Sequence, residues 1–183
     1  MLNRSVLLFL GGLIVLALAA FMATRAYTID QAPKRIMAMI EERIVAGSGG
    51  WNACFHNRAY GPRTSAARRA NPDSIITSMA YDLTNGPVQV SGNVWPDYWS
   101  LSLYQQNSDN FFVINDQQLD GDHFNYVIRL EGQDAGDETA TEIISPTRKG
   151  IMLIRRFVKQ SEDMPDVLQN QDAMTCEQAS TNS

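Results

Sequence analysis

The sequence predicts a mostly β fold, a single small domain behind one N-terminal membrane helix. Three observations carry this: an unbroken apolar tract near the start, a hydrophobic period of two from Ser74 onward, and turn chemistry between the resulting runs. With 183 residues, 44% of them apolar and 19% charged, the chain suits one globular core and is neither disordered, fibrous nor repetitive.

The apolar tract runs from Ser5 to Ala23 without one ionisable side chain. As a helix those residues reach about 28 Å, enough to cross a bilayer core. A soluble core helix keeps a polar stripe, whereas Leu7, Leu8, Phe9, Leu10, Leu13 and Ile14 already cover every face here. Ala17-Leu18-Ala19 also reads as a signal-peptidase site, but the tract continues through Phe21 and Met22, which favours a retained anchor spanning residues 1–25. The bilayer is thus the first expected partner, through residues 5–23. Orientation sets two rules against each other. Arg25, Lys34 and Arg35 follow the tract and argue for a cytoplasmic domain, yet that bias is weak for long translocated domains. Arg4 is the one basic residue before Thr24, so 14 of the 15 basic residues and all 20 acidic residues follow, a net charge of −6. Such a balance discourages adhesion to nucleic acid or anionic lipid. The expectation is an inner-membrane protein with its domain in the periplasm.

After the anchor, Ala32-Pro33 is expected to break the chain, and Lys34 to Val45 reads as a short amphipathic helix with Ile36, Met37, Ile40 and Ile44 on one side. Gly47-Ser48-Gly49-Gly50 follows as a flexible joint, so residues 26–50 form a connecting region and 51–183 the domain, with Trp51 its first residue. The strand runs are Ser74 to Leu83, Val88 to Val94, Tyr98 to Tyr104, Asn110 to Ile114, His123 to Leu130, Glu142 to Ser145 and Ile151 to Val158. Seven strands imply two packed antiparallel sheets. Trp99, Leu101 and Leu103 form the core face of their strand, and the last strand is apolar on both faces, as a central strand should be. Pro165 then starts a final short helix.

Cys54 and Cys176 stand near the two ends of the domain, with no Cys-x-x-Cys spacing for metal or redox work. In an oxidising compartment they are candidates for a disulfide, the alternative being two separate buried thiols. No nucleophile elbow, phosphate loop or zinc-binding helix motif occurs, and the two histidines, His56 and His123, lie 67 residues apart, so neither catalysis nor a cofactor is indicated. Three constellations have both a plain and a functional reading. His56, Arg58, Arg63, Arg68 and Arg69 make a basic segment with no acid between Asn52 and Pro72, either a solvated loop or an anion pocket. Asn107, Asp109, Asn110, Asn115, Asp116, Asp120 and Asp122 are oxygen donors in two neighbouring turns, matching turn chemistry better than a calcium loop. Tyr98, Trp99 and Tyr104, with Trp95, are either core or the lining of a cleft.

The stretch from Asn71 to Asp116 resembles a bacterial family, the "domain of unknown function 1254" family. The resemblance rests on Asn71-Pro72-Asp73, on Tyr81-Asp82-Leu83 followed by Asn85-Gly86-Pro87-Val88, on Tyr98-Trp99-Ser100-Leu101-Ser102-Leu103-Tyr104, and on the run from Asn107 to Asp116. Ser145-Pro146-Thr147-Arg148-Lys149-Gly150 before an apolar strand extends it. It implies an antiparallel β-sandwich of jelly-roll type, close to the short membrane-anchored members, and no established catalytic residues. Longer relatives carry a second domain, numbered 1214, on the same chain, so a companion protein of that type is an expected partner. The leading expectation is a non-enzymatic interaction or assembly module. The alternative is a small-molecule-binding or hydrolytic protein that uses Asn71, Asp73, Tyr98, Trp99, Tyr104 and Arg148.

Overall fold

The computed structural model describes residues 3–58, 73–119, 121–137 and 139–179, and in it the apolar tract belongs to a single helix, α1, Arg4–Ser48. Its apolar part is the one helix among the described residues long and apolar enough to cross a membrane, and the side chains of that stretch are exposed. The expected break at Ala32-Pro33 does not occur, since Pro33 lies inside the helix. Proline removes one backbone hydrogen bond and crowds the preceding turn. The 45 residues supply the remaining bonds, and the following turns are held by packing, with Met37, Glu41 and Ile44 buried against the sheet. Gly47 and Ser48 are likewise helical, and Gly49, at φ +83°, caps the helix by donating its N–H to the Val45 carbonyl at 3.0 Å. The tetrapeptide is therefore a helix end, fitted against Phe55, whose ring lies where a Cβ on Gly47 would go.

The strands are β1 Phe55–Asn57, β2 Ser74–Asp82, β3 Val88–Asn93, β4 Trp99–Gln105, β5 Asn110–Asn115, β6 His123–Arg129, β7 Thr141–Ile144, β8 Lys149–Phe157 and β9 Thr175–Gln178. All seven expected runs are strands, shifted at their ends by a residue or two. They form a five-stranded sheet in the order β1-β2-β8-β4-β5 and a four-stranded sheet in the order β7-β6-β3-β9. The first is antiparallel throughout. The second is mixed, because β6 and β7 run parallel, which corrects the all-antiparallel expectation. The chain between them passes Gly132 and Gly136, both at positive φ, and returns to the same end of the sheet before β7 begins.

One core joins the inner faces of both sheets. Trp99 of β4 stacks on Phe124 of β6 with ring centroids 5.5 Å apart, and Phe112 of β5 meets Tyr126 of β6 edge-on at 5.8 Å. β8 is central as expected, with Ile151, Met152 and Ile154 buried on its two faces. Gly150 has no substitute at its place: a Cβ there would lie 2.3 Å from the Tyr81 hydroxyl, which crosses it to reach Ser145 Oγ at 3.0 Å. After β8 a second helix, α2 Met164–Asp172, packs Val167 into the core and leads into β9. Cys176 on β9 is disulfide-bonded to Cys54, with Cα atoms 5.3 Å apart, so the bond ties the chain entering β1 of one sheet to the edge strand of the other.

This bond closes 122 residues. Replacing Cys54 and Cys176 with Ser should lower unfolding stability by about 2 to 5 kcal/mol, read as a lower urea midpoint. The wild-type protein in reductant should fall to the same midpoint, and equal midpoints for oxidised and reduced protein would contradict a structural bond.

Candidate functional site

The residues expected to share a cleft are dispersed. Trp99 is 1% exposed and lies in the core, while its neighbour Tyr98 points outward and is 52% exposed. Trp95 is also core, donating its indole N–H to the Phe157 carbonyl at 2.9 Å. Tyr104 lies half-buried on the outer face of the five-stranded sheet, packed with residues of α1. Asp73 precedes β2 and Arg148 precedes β8. Because Ser74 pairs with Phe157 and Asp82 with Lys149, these two side chains belong to opposite ends of a nine-residue ladder, roughly 27 Å apart at ~3.4 Å per residue. Asn71 lies outside the described residues, as do Arg63, Arg68, Arg69 and Asp120. The oxygen-rich turns are closed by their own hydrogen bonds: Asn107 accepts from the Asp109 N–H at 3.1 Å, and Asn115 from the Gln117 N–H at 3.1 Å. Among the described residues no group of three or more His, Cys, Asp or Glu could hold a metal ion.

The structure contains a polar cluster that the sequence reading missed. Arg156 of β8 faces the core and is 1% exposed, with no carboxylate beside it among the described residues. Its Nε donates to Asn170 Oδ1 at 2.6 Å, its Nη1 to Thr77 Oγ1 at 3.1 Å, and its Nη2 approaches Met174 Sδ at 3.7 Å. Gln171, fully buried, donates its Nε2 to the same Thr77 oxygen at 3.0 Å and to the Ile76 carbonyl at 3.2 Å, leaving its own Oε1 without a partner. The same Thr77 hydroxyl also meets His56 Nδ1 at 3.2 Å. At the rim Arg58 pairs with Asp172. Burial lowers the Arg156 pKa to about 10, which leaves it charged at neutral pH. Burial first, then the charges of Arg58 and Arg156, hold His56 below the usual histidine value, Asp172 opposing them. The Arg156–Thr77 and Thr77–His56 contacts join β8, β2 and β1 to one another, and the bonds of Arg156 to Asn170 and Met174 and of Gln171 to Thr77 and Ile76 join those strands to α2 and the residues just after it. Chemically it clamps that helix onto the sheet. The signal for it was the Arg155-Arg156 pair, since in a strand covered on both faces one of two adjacent arginines must point inward.

The second arrangement is open to solvent. The last turns of α1 lie mainly over β1, β2 and β8, where Met37 and Ile44 pack on Ala80 and Ile151. Glu41 is buried between them with Oε1 unpartnered, and burial raises its pKa while the Lys149 charge opposes the rise. Lys149 bonds Asp82 at 3.1 Å and stands 4.3 Å over the Trp51 ring. Asn52, at φ 61°, donates to the Asp82 carbonyl and accepts the Asp82 N–H at 2.7 Å, pinning the turn after α1 to the end of β2. Beside this junction an apolar groove of about 220 Å³ runs between α1 and the sheet, formed by Ile36, Ile40, Tyr104, Ile151 and Leu153. It contains no titratable acid or base poised for proton transfer.

Comparison with known proteins adds fold and family. A family model described as "Protein of unknown function (DUF1254)" matches residues 51–178. No curated protein matches the chain. The structure of the VPA0106 protein from Vibrio parahaemolyticus is similar, with a TM-score of 0.55 at 13% identity, covering 60% of this chain and 28% of that one. An uncharacterized protein from Burkholderia cenocepacia gives a TM-score of 0.47 at 13% identity, covering 76% of this chain and 38% of its own. The chain thus spans well under half the length of either, and at such identity the first likeness speaks for the fold alone.

Two outcomes test the clamp. Thr77→Val should cost about 1 to 3 kcal/mol by leaving buried donors unpartnered, while Thr77→Ser, which keeps the hydroxyl, should cost much less. Urea titration of both variants checks this, and equal losses would point to packing instead. Because the folded His56 pKa is depressed, the unfolded chain binds the proton more readily, so stability present above about pH 6.5 is lost as the pH falls through the folded value. His56→Gln should remove that part of the slope in midpoints measured from about pH 7.5 down to about pH 5, and an unchanged slope would free His56 of the role.

Proposed function

We propose, from the premise that the chain belongs to the DUF1254 family of proteins of unknown function, that it is a single-pass inner-membrane protein whose β domain stands in the periplasm as a non-enzymatic interaction or assembly module. The observation that carries this is the continuity of α1: one helix runs from the apolar tract to a foot buried on the sheet, with an open apolar groove at its side. Residues 24–48 alone amount to roughly 37 Å of helix at ~1.5 Å per residue, so the domain is held at a fixed height and orientation over the bilayer. Tethering both members of a pair in one plane raises their effective concentration without further contacts, an advantage for an assembly module.

Other features favour the same reading. The net charge of −6 beyond Thr24 opposes anionic lipid and nucleic acid as partners. The Cys54–Cys176 bond suits an oxidising compartment. A companion protein of the 1214 type is the first candidate among other proteins. The ligand-binding alternative loses its main support, since Asp73 and Arg148 lie at opposite ends of their ladder and Trp99 is closed within the core.

Replacing Leu13 and Leu16 together with Arg should release the protein from the membrane fraction or abolish its accumulation, since each charge near a helix centre costs about 2.5 to 3.5 kcal/mol of insertion. An alkaline phosphatase fused after Ser183 should be active. Unchanged fractionation would remove the anchor, and a stable but inactive fusion would reverse the orientation.

A further inference from the structure

The outer face of the five-stranded sheet holds a cation that the chain does not use. Four strand residues are Lys or Arg, and three of them are satisfied internally: Arg129 by Glu142, Lys149 by Asp82, and Arg156 by Asn170 and Thr77. Arg155 is the fourth. It lies half-buried on β8, the middle strand of the five, and among the described residues it has neither an ion pair nor a hydrogen bond. A guanidinium is always charged and carries five N–H donors and no acceptor, so the group that satisfies it is an acceptor, best an anion.

The strand register places further donors beside it. Arg155 pairs with Ser100 of β4 and Ser100 with Asn115 of β5; one alternation along, Leu153 pairs with Ser102 and Ser102 with Val113. Because Trp99, Leu101 and Leu103 face the core, Ser100 and Ser102 face outward together with Arg155. Each serine is 4% exposed, yet among the described residues neither hydroxyl has a hydrogen-bond partner. Asn115 accepts the Gln117 N–H on its Oδ1, and its Nδ2 donors likewise have no partner among the described residues. The relief of this face follows from side-chain size. The outward residues of β4 are Tyr98, Ser100, Ser102 and Tyr104, two small side chains between two large ones. β8 and β5 stand roughly 10 Å apart across β4 at ~4.8 Å per strand, so the serines floor a slot with Arg155 and Leu153 on one side and Asn115 and Val113 on the other. The carboxylate in register on this face, Asp82, is three alternations from the Arg155 row and is bonded to Lys149. α1 packs toward that other end, on Ala80 and Ile151.

We propose that this slot binds a small oxyanion, a phosphate or carboxylate group, with Arg155 as its charged anchor and the Ser100 and Ser102 hydroxyls and the Asn115 amide as further donors. An oxyanion is the one small group that accepts several hydrogen bonds at once while neutralising a guanidinium. A single arginine matches a single anionic group, whereas a polyanion is opposed by the net charge of −6 beyond Thr24. The site goes beyond the assembly reading and stands without it, since neither the anchor nor the compartment enters the argument.

A ligand that binds the folded state raises the unfolding midpoint as its concentration rises. For the full-length protein in mild non-ionic detergent, the thermal midpoint should climb with sodium phosphate or sodium acetate while sodium chloride holds the ionic strength constant. The stronger probe identifies the source of the oxyanion, a phosphoryl group or a carboxylate. Arg155→Met, which keeps an apolar stem and removes the charge, should abolish the climb. Ser100→Ala with Ser102→Ala should weaken the apparent affinity about tenfold. Arg43→Met, at an exposed arginine of α1, should titrate as the wild type does. A midpoint that responds to neither probe up to about 100 mM, or that climbs equally in the Arg155→Met protein, overturns the site. If Arg155→Met does not fold, the double serine variant decides alone, and an unchanged affinity there overturns the site as well.

Discussion

Burial of three turns of α1 against the outer face of β2 and β8 is the contact on which the rest of the molecule's geometry depends. Without it the apolar tract would be a leash and the domain would tumble at its end. With Met37 and Ile44 packed on Ala80 and Ile151, the helix and the sheet share one frame, and the direction of the helix fixes how the sheet is turned relative to the apolar tract. The contact is not purely apolar. Glu41 is carried into it with one oxygen unpartnered, a cost of about 1 to 3 kcal/mol for a buried polar group, offset by the apolar area on either side. Asn52, Asp82, Lys149 and Trp51 then lock the turn that follows, so the helix cannot slide along the sheet.

On the inner side a different constraint governs. A guanidinium in the core without a carboxylate is expensive, and it persists because the groups around it, Thr77, Asn170 and Gln171, are neutral and aimed by elements that the same bonds hold in place. The arrangement gives α2 one position on the sheet. Since β9 follows α2 within a few residues and carries Cys176, that position also sets where the disulfide closes. The clamp and the bond thus act in series on the C-terminal segment, and the two sheets are tied at the end where the chain enters β1.

The parts of the fold legible in the sequence were those whose neighbours are close along the chain or whose pattern spans enough residues. The alternation of Trp99, Leu101 and Leu103 marked β4 and its inner face, and the doubly apolar run from Ile151 to Val158 marked β8 as central. β1 and β9, at three and four residues, are too short for a period of two to show, and each exists because an adjacent strand offers it an edge. The parallel placing of β7 depends on where an eleven-residue connection returns, which no local pattern encodes. Pro33 misled for a similar reason: its local cost is real, but packing of the turns beyond it outweighs that cost. The candidate site was less legible. Tyr98 and Trp99 are adjacent in sequence and diverge in space because successive strand residues face opposite ways, and Tyr104 lies apart on the outer face, whereas the Arg156 cluster gathers residues separated by as many as 118 positions, His56 to Met174, and could be suspected only from two arginines in a strand with no polar face.

These two irregular places in an otherwise ordinary two-sheet core differ in one property that decides their roles, which is access. Arg156, Gln171 and Thr77 are closed from solvent by α2, so a molecule could reach them only if that helix left the sheet, breaking the bonds that define the cluster. The groove beside α1 needs no such opening, and its walls of isoleucine, leucine and tyrosine offer area rather than directed hydrogen bonds. A surface of that kind discriminates by shape and by the register of what it meets, not by charge or chemistry.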